Sequence, residues 1–111
     1  MNNDDLAAVE LRTMLSAWRA LATRWDLTWR ERAELLPAGG EESENPPRDT
    51  EARMRILIEI GYRISLPDSE LHDWLRTATQ ALGWLSPLDL MSGSMGDLRS
   101  IRHLVNVGFS S

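Results

Sequence analysis

At 111 residues and 42% apolar content, the chain suits one domain with a modest core, or a small domain with a short arm. A formal net charge of −5 argues against broad affinity for nucleic acid, whose binding is mainly phosphate neutralisation. The absence of cysteine excludes a disulfide framework and thiolate metal sites.

The opening Met1-Asn2-Asn3-Asp4-Asp5 is acidic and lacks an apolar signal region. No apolar run approaches the ~20 residues that span a bilayer, so the expectation is a soluble, cytoplasmic protein without a membrane partner. The 12 cationic residues are all arginine. Arginine suits bidentate contacts, but these are scattered along the chain, and nucleotide bias explains scatter better than an interface does.

Residues 4 to 25 read as a first helix, with Asp4 or Asp5 as cap. Leu11, Met14, Leu15, Trp18, Leu21, Ala22 and Trp25 recur at helical spacing. Trp18 and Trp25, seven residues apart, fall nearly on one line and are read as core rather than as an exposed patch. Thr28-Trp29-Arg30-Glu31 is a capping box opening a second helix that runs to about Leu36 and stops at Pro37.

Two helices joined by Asp26-Leu27 could open a helix-turn-helix, but such a motif needs a recognition helix next. The chain instead continues through Pro37 to Thr50, with Gly39-Gly40 and Pro46-Pro47, which forbid a regular helix across 39 to 47. Glu41, Glu42 and Glu44 would repel phosphate. Residues 37–48 are read as a solvated acidic loop standing in place of the recognition helix.

The most apolar helix is expected over 50 to 66, capped by Asp49 or Thr50. Met54, Leu57, Ile58, Gly61, Ile64 and Ser65 make its stripe, and Ile56 and Ile60 widen it. Gly61 either admits a neighbouring helix or is simply tolerated. Leu66-Pro67 ends the helix. Asp68 or Ser69 starts a shorter one, whose inward face is Leu71, Trp74 and Leu75. Ser86 before Pro87 is a helix start, and Leu88, Leu90 and Met91 give that short helix its apolar side. After Ser92-Gly93-Ser94, a last helix carries Leu98, Ile101, Arg102, Leu104 and Val105, with Gly108 as its stop.

No strand-like alternation or internal repeat occurs. The fold expected is all-α, a small bundle of five to six helices with one long acidic loop. Residues 1–66 form an N-terminal helical region and 67–111 a second helical domain.

Catalytic motifs are missing. His72 and His103 stand singly on helices, and there is no His-Glu-x-x-His, phosphate-binding glycine loop or nucleophile elbow. Ser92 to Asp97 precedes a helix and reads as a turn with an N-cap rather than an anion site. Arg99, Arg102 and His103 lie three and four residues apart, so they share a helix face. Neither a cofactor nor a metal site is expected.

Trp74-Leu75, then Ala81-Leu82-Gly83, then Ser86-Pro87-Leu88-Asp89-Leu90 and a terminal helix together resemble the toxin-binding domain of the Xre/MbcA/ParS antitoxin family. The resemblance covers roughly the last third of the chain. The family usually has a second glycine where Trp84 stands, and a proline–asparagine pair near Ala78-Thr79.

The resemblance implies a non-enzymatic antitoxin of a type II toxin–antitoxin system. Its partner would be a RES-type toxin that consumes NAD or transfers ADP-ribose from it, blocked at its NAD cleft by the C-terminal region. Arg99, Arg102 and Phe109 are the expected toxin contacts, with His103 and Trp84 next, since aromatics and arginines dominate such interfaces. A homodimer is a further expectation, because family members commonly pair and five tryptophans are many for so small a core. The alternative is a DNA-binding transcriptional repressor of the toxin–antitoxin operon, with DNA binding by this chain alone weak or absent.

Overall fold

The computed structural model describes residues 3–36, 48–64 and 66–108; for residues 3–8 and 108 only the main chain is described. Within them the chain forms six α-helices and no strand. The acidic segment 37–47, Ser65 and Phe109 to Ser111 lie outside the described residues.

Helix α1 spans Asn3–Arg24. It begins ahead of Asp4 and Asp5, so these fall inside its first turn and not at its cap. Met14, Trp18, Leu21 and Ala22 are buried along one stripe, and Trp25 just beyond the helix is buried with them. Both tryptophans are therefore core, as the apolar spacing predicts. Asp26, with φ 54°, takes the left-handed conformation that turns the chain into α2.

Helix α2, Trp29–Leu35, starts at the expected capping box. The Glu31 amide donates to Thr28 Oγ1 at 3.1 Å and the Thr28 amide donates to Glu31 Oε1 at 2.9 Å. Leu35 and Leu36 close this helix into the core.

Helix α3 covers Arg48–Arg63 rather than 50 to 66. Asp49 and Thr50 are inside its first turn, so neither is the cap. The helix also ends before Leu66-Pro67, at Arg63, with the Ile64 amide still donating to the Ile60 carbonyl at 3.1 Å. The expected stripe is otherwise in place, with Met54, Leu57, Ile60 and Ile64 buried. Gly61 is a close approach and not a tolerated accident: a Cβ there would run into Leu21 Cδ1 of α1.

Helix α4 spans Asp68–Arg76, with Pro67 at its cap position and no side-chain cap bond, so neither Asp68 nor Ser69 caps it. Leu71 and Leu75 are fully buried, and Trp74 packs partly buried against the core. A 3₁₀ turn over Gln80–Leu82 comes next, then α5, Pro87–Met91, and α6, Met95–Gly108. Ser86 caps α5 with Pro87 in its first turn, as expected; Asp89 completes a second capping box there. The Ser92 to Asp97 stretch is a turn and cap, the Asp97 amide donating to Ser94 Oγ at 3.1 Å.

Helix α3 sits centrally, packing on both α1 and α6, while α5 packs on α4 and α6. One hydrophobic cluster runs from Met14 to Val105 and draws on every helix. Among the described residues, no helix is long and apolar enough to cross a membrane.

Candidate functional site

Three features of the C-terminal half present side chains to the surroundings. The first is the loop between α4 and α5. Thr79 and Leu85 pair as an isolated antiparallel bridge, the Thr79 amide donating to the Leu85 carbonyl at 3.3 Å. The Trp84 amide donates to the Thr79 carbonyl at 2.8 Å, which closes the loop on itself. Gly83 and Trp84 both take positive φ, 69° and 65°, and the Leu85 amide reaches back to the Leu82 carbonyl at 3.4 Å. Two successive left-handed residues inside such a bond define a type I′ turn.

A glycine meets that demand without strain, but a tryptophan costs about 1 kcal/mol or more. Burial does not return this cost, since Trp84 is 69% exposed. Leu85 beside it is 43% exposed. The loop therefore holds an aromatic side chain out into solvent on a strained main chain.

The second feature is the outer face of α6. Leu98, Ile101 and Val105 are buried and fix the rotation of the helix. Arg99 and His103 consequently stand exposed one turn apart, and Val107, 65% exposed, follows one turn beyond His103 on the same side; Leu104, 37% exposed, lies next to Ile101 at the other edge of the buried stripe. Arg102 differs from its two neighbours. It is half-buried and turned toward α3, where its Nη1 lies 3.6 Å from Glu59 Oε2. The three residues thus share the helix side that the spacing predicts, but Arg102 is already engaged within the chain. The fifth expected contact, Phe109, lies outside the described residues.

The third feature is a polar hollow of about 230 Å³ where α2, α4 and α5 meet, lined by Glu31, Glu34, Arg76, Ser86, Asp89 and Ser92 among others. Arg76 spends its guanidinium there on the fold. Its Nη2 donates to Glu31 Oε1 at 3.0 Å and to the Asp26 carbonyl at 2.9 Å. Burial alone would raise the Glu31 pKa. The Thr28 amide and the Arg76 guanidinium outweigh it and hold the carboxyl below the usual glutamate range. This cluster locks the α1–α2 turn onto α4 and is a scaffold for the neighbouring loop.

His72 likewise serves the fold, its Nε2 lying 2.8 Å from the Arg24 carbonyl. No group of three or more His, Cys, Asp or Glu residues is placed to hold a metal ion among the described residues.

Two exposed apolar residues, Leu85 and Val107, are absent from the contacts expected from sequence, and Leu104 belongs there to the apolar spacing of the last helix. A signal for Val107 is present in the sequence, because it falls off the line of Leu98, Ile101 and Val105, whereas Leu104 sits at the edge of that line and is exposed all the same. Nothing local marks Leu85, whose exposure depends on the turn beside it. No protein-family model matches the chain, and neither a curated protein nor a solved structure does.

Proposed function

We propose that the chain is the antitoxin of a type II toxin–antitoxin pair, binding a RES-type toxin and blocking its NAD cleft with the C-terminal region. The observation that carries this reading is the left-handed backbone at Trp84. The family that the last third resembles usually has a glycine at this position, and a type I′ turn is where glycine is demanded. The departure in residue type thus coincides with a backbone that suits the family motif.

The exposed residues fit the task. An inhibitor of this kind supplies shape and a few anchors, and the target supplies the chemistry. Trp84 offers a large aromatic surface already ordered by its loop, which lowers the ordering cost of binding. Arg99 and His103, with exposed Val107 one turn beyond, offer polar groups beside an apolar side chain. Arg99 would meet carboxylates of the toxin or occupy the place of the NAD phosphates.

The test is co-expression with a RES-type toxin, sought first in the neighbouring reading frame, combined with an assay of NAD consumption. The toxin is expected to be lethal alone, tolerated with this chain, and silent toward NAD in the purified complex. Unchanged NAD turnover in the presence of excess chain would overturn the reading. Steeply salt-dependent binding of operator DNA by the chain alone would favour the repressor reading instead.

A further inference from the structure

Helices α1 and α3 touch where Gly61 admits Leu21. Beside that contact a groove of about 670 Å³ runs between them, over Val9, Thr13 and Ala17 of α1 and Ile58 and Tyr62 of α3. It joins a hollow of about 170 Å³ that reaches Ala20, the two sharing Ala17, Ile58 and Tyr62. The lining is mostly apolar, and Tyr62 stands 81% exposed at the edge.

The groove meets the outer face of α6. Glu59 lines the groove and lies 3.6 Å from Arg102, and Arg99 stands one turn before Arg102 on the same side of that helix. Two of the rim charges are already paired within the chain, Glu59 with Arg102 and Arg55 with Glu51 at 3.0 Å. An occupant therefore needs to bring no countercharge for them, and its chemistry is set by the apolar lining. Area points the same way. A stable complex covers about 800 Å² and about 20–30 residues on each side. Trp84, Leu85, Arg99, His103 and Val107 fall far short of that, so a partner of the α6 face must spread onto adjoining surface.

We infer that the toxin proposed above reaches across the Glu59–Arg102 pair and lays the apolar face of one of its own helices in the α1–α3 groove. Two neighbouring helices accept a third in the channel between them, with its anchors at i, i+3, i+4 and i+7. Val9 to Ala20 is about 16 Å of helix, so the inserted helix has about three turns. The groove supplies affinity, and the α6 face supplies the obstruction of the NAD cleft. This inference rests on the toxin reading.

Titration calorimetry of a purified RES-type toxin against the full chain and three variants tests it. Tyr62→Arg and Ala17→Arg each put a guanidinium into the apolar channel, and each is expected to weaken binding at least about tenfold. Tyr62 is too exposed to matter for folding, so circular dichroism is expected to show unchanged helix content in Tyr62→Arg. Binding that Arg99→Asp weakens but Tyr62→Arg and Ala17→Arg leave intact overturns the groove and spares the toxin reading. No binding by the parent chain overturns both. A two-chain mass of the isolated chain in sedimentation equilibrium, reduced to one chain by Tyr62→Arg, would give the groove to a second copy and overturns the inference as well.

Discussion

The Nε of Arg53 donates to the main-chain oxygen of Leu35 across 2.9 Å, joining the middle of α3 to the last residue of α2. The same guanidinium donates through Nη1 to the Gly93 carbonyl at 2.8 Å and through Nη2 to the Met91 carbonyl. Arg53 is only 5% exposed, and its recorded bonds all go to main-chain oxygens at or just past two helix C-termini. These are the carbonyls that a helix leaves unsatisfied, at the negative end of its dipole. Burial pushes the guanidinium below the usual arginine pKa, and the converging carbonyls are what keep a charge acceptable there.

Arg53→Ala leaves those oxygens unsatisfied in a closed core. The expected loss of unfolding free energy is about 3 kcal/mol, read by urea denaturation. Arg53→Lys is expected to recover less than half of it, because an ammonium cannot span the fork that the guanidinium fills. A loss below about 1 kcal/mol for the alanine variant would show that water replaces the arginine.

Acid is expected to loosen the junction of α2 and α4 through Glu31. Its carboxyl is held low in the fold by Thr28 and Arg76. A carboxyl with a lowered folded pKa stabilises at neutral pH, and this is lost as pH falls below about 4 and then through the folded value. Glu31→Gln should cost no more than about 1 kcal/mol at pH 7, given the partial exposure of the pair, and should flatten the acid limb of stability against pH. An acid limb identical to that of the parent chain would remove Glu31 as its source.

Trp84→Gly separates stability from binding. Relief of the left-handed strain offsets the greater freedom of glycine in the unfolded chain. Thermal unfolding is expected at an unchanged or slightly higher temperature, while affinity for the proposed toxin partner falls at least about tenfold. A destabilised variant would mean that the indole packs onto the protein after all.

On α6, Arg99 and Arg102 should behave differently despite their spacing. Arg99→Asp is expected to weaken the proposed toxin complex at least about tenfold, because that side chain is exposed and presented outward. Arg102→Ala should alter stability by less than about 1 kcal/mol through its Glu59 contact and alter toxin affinity less than Arg99→Asp does. Titration calorimetry of both variants against the purified toxin decides the order.

Much of the architecture is legible before any coordinates. The Thr28–Glu31 and Ser86–Pro87 starts are local bonds among residues three apart, and they form wherever the segment turns helical. The burial of Trp18, Trp25, Leu57 and Ile60 follows from apolar spacing. The caps expected at Asp49 or Thr50, and at Asp68 or Ser69, are not formed because capping residues are also tolerated inside a first turn, where an acidic side chain suits the helix dipole. The site is less legible than the fold. Arg99 and His103 are where their spacing puts them, but the engagement of Arg102 by Glu59 joins two helices more than forty positions apart in the chain.

The sequence by itself determined that this chain is helical, how α2 and α5 are capped and which stripe of the longer helices is apolar, since these depend on neighbours within four residues. Tertiary structure alone decided that Arg53 is spent inside the core, that Gly61 admits Leu21, and that Trp84 is held outward in a conformation fit for glycine. Those outcomes depend on which distant carbonyl, side chain or turn meets each residue, and no local pattern carries that information.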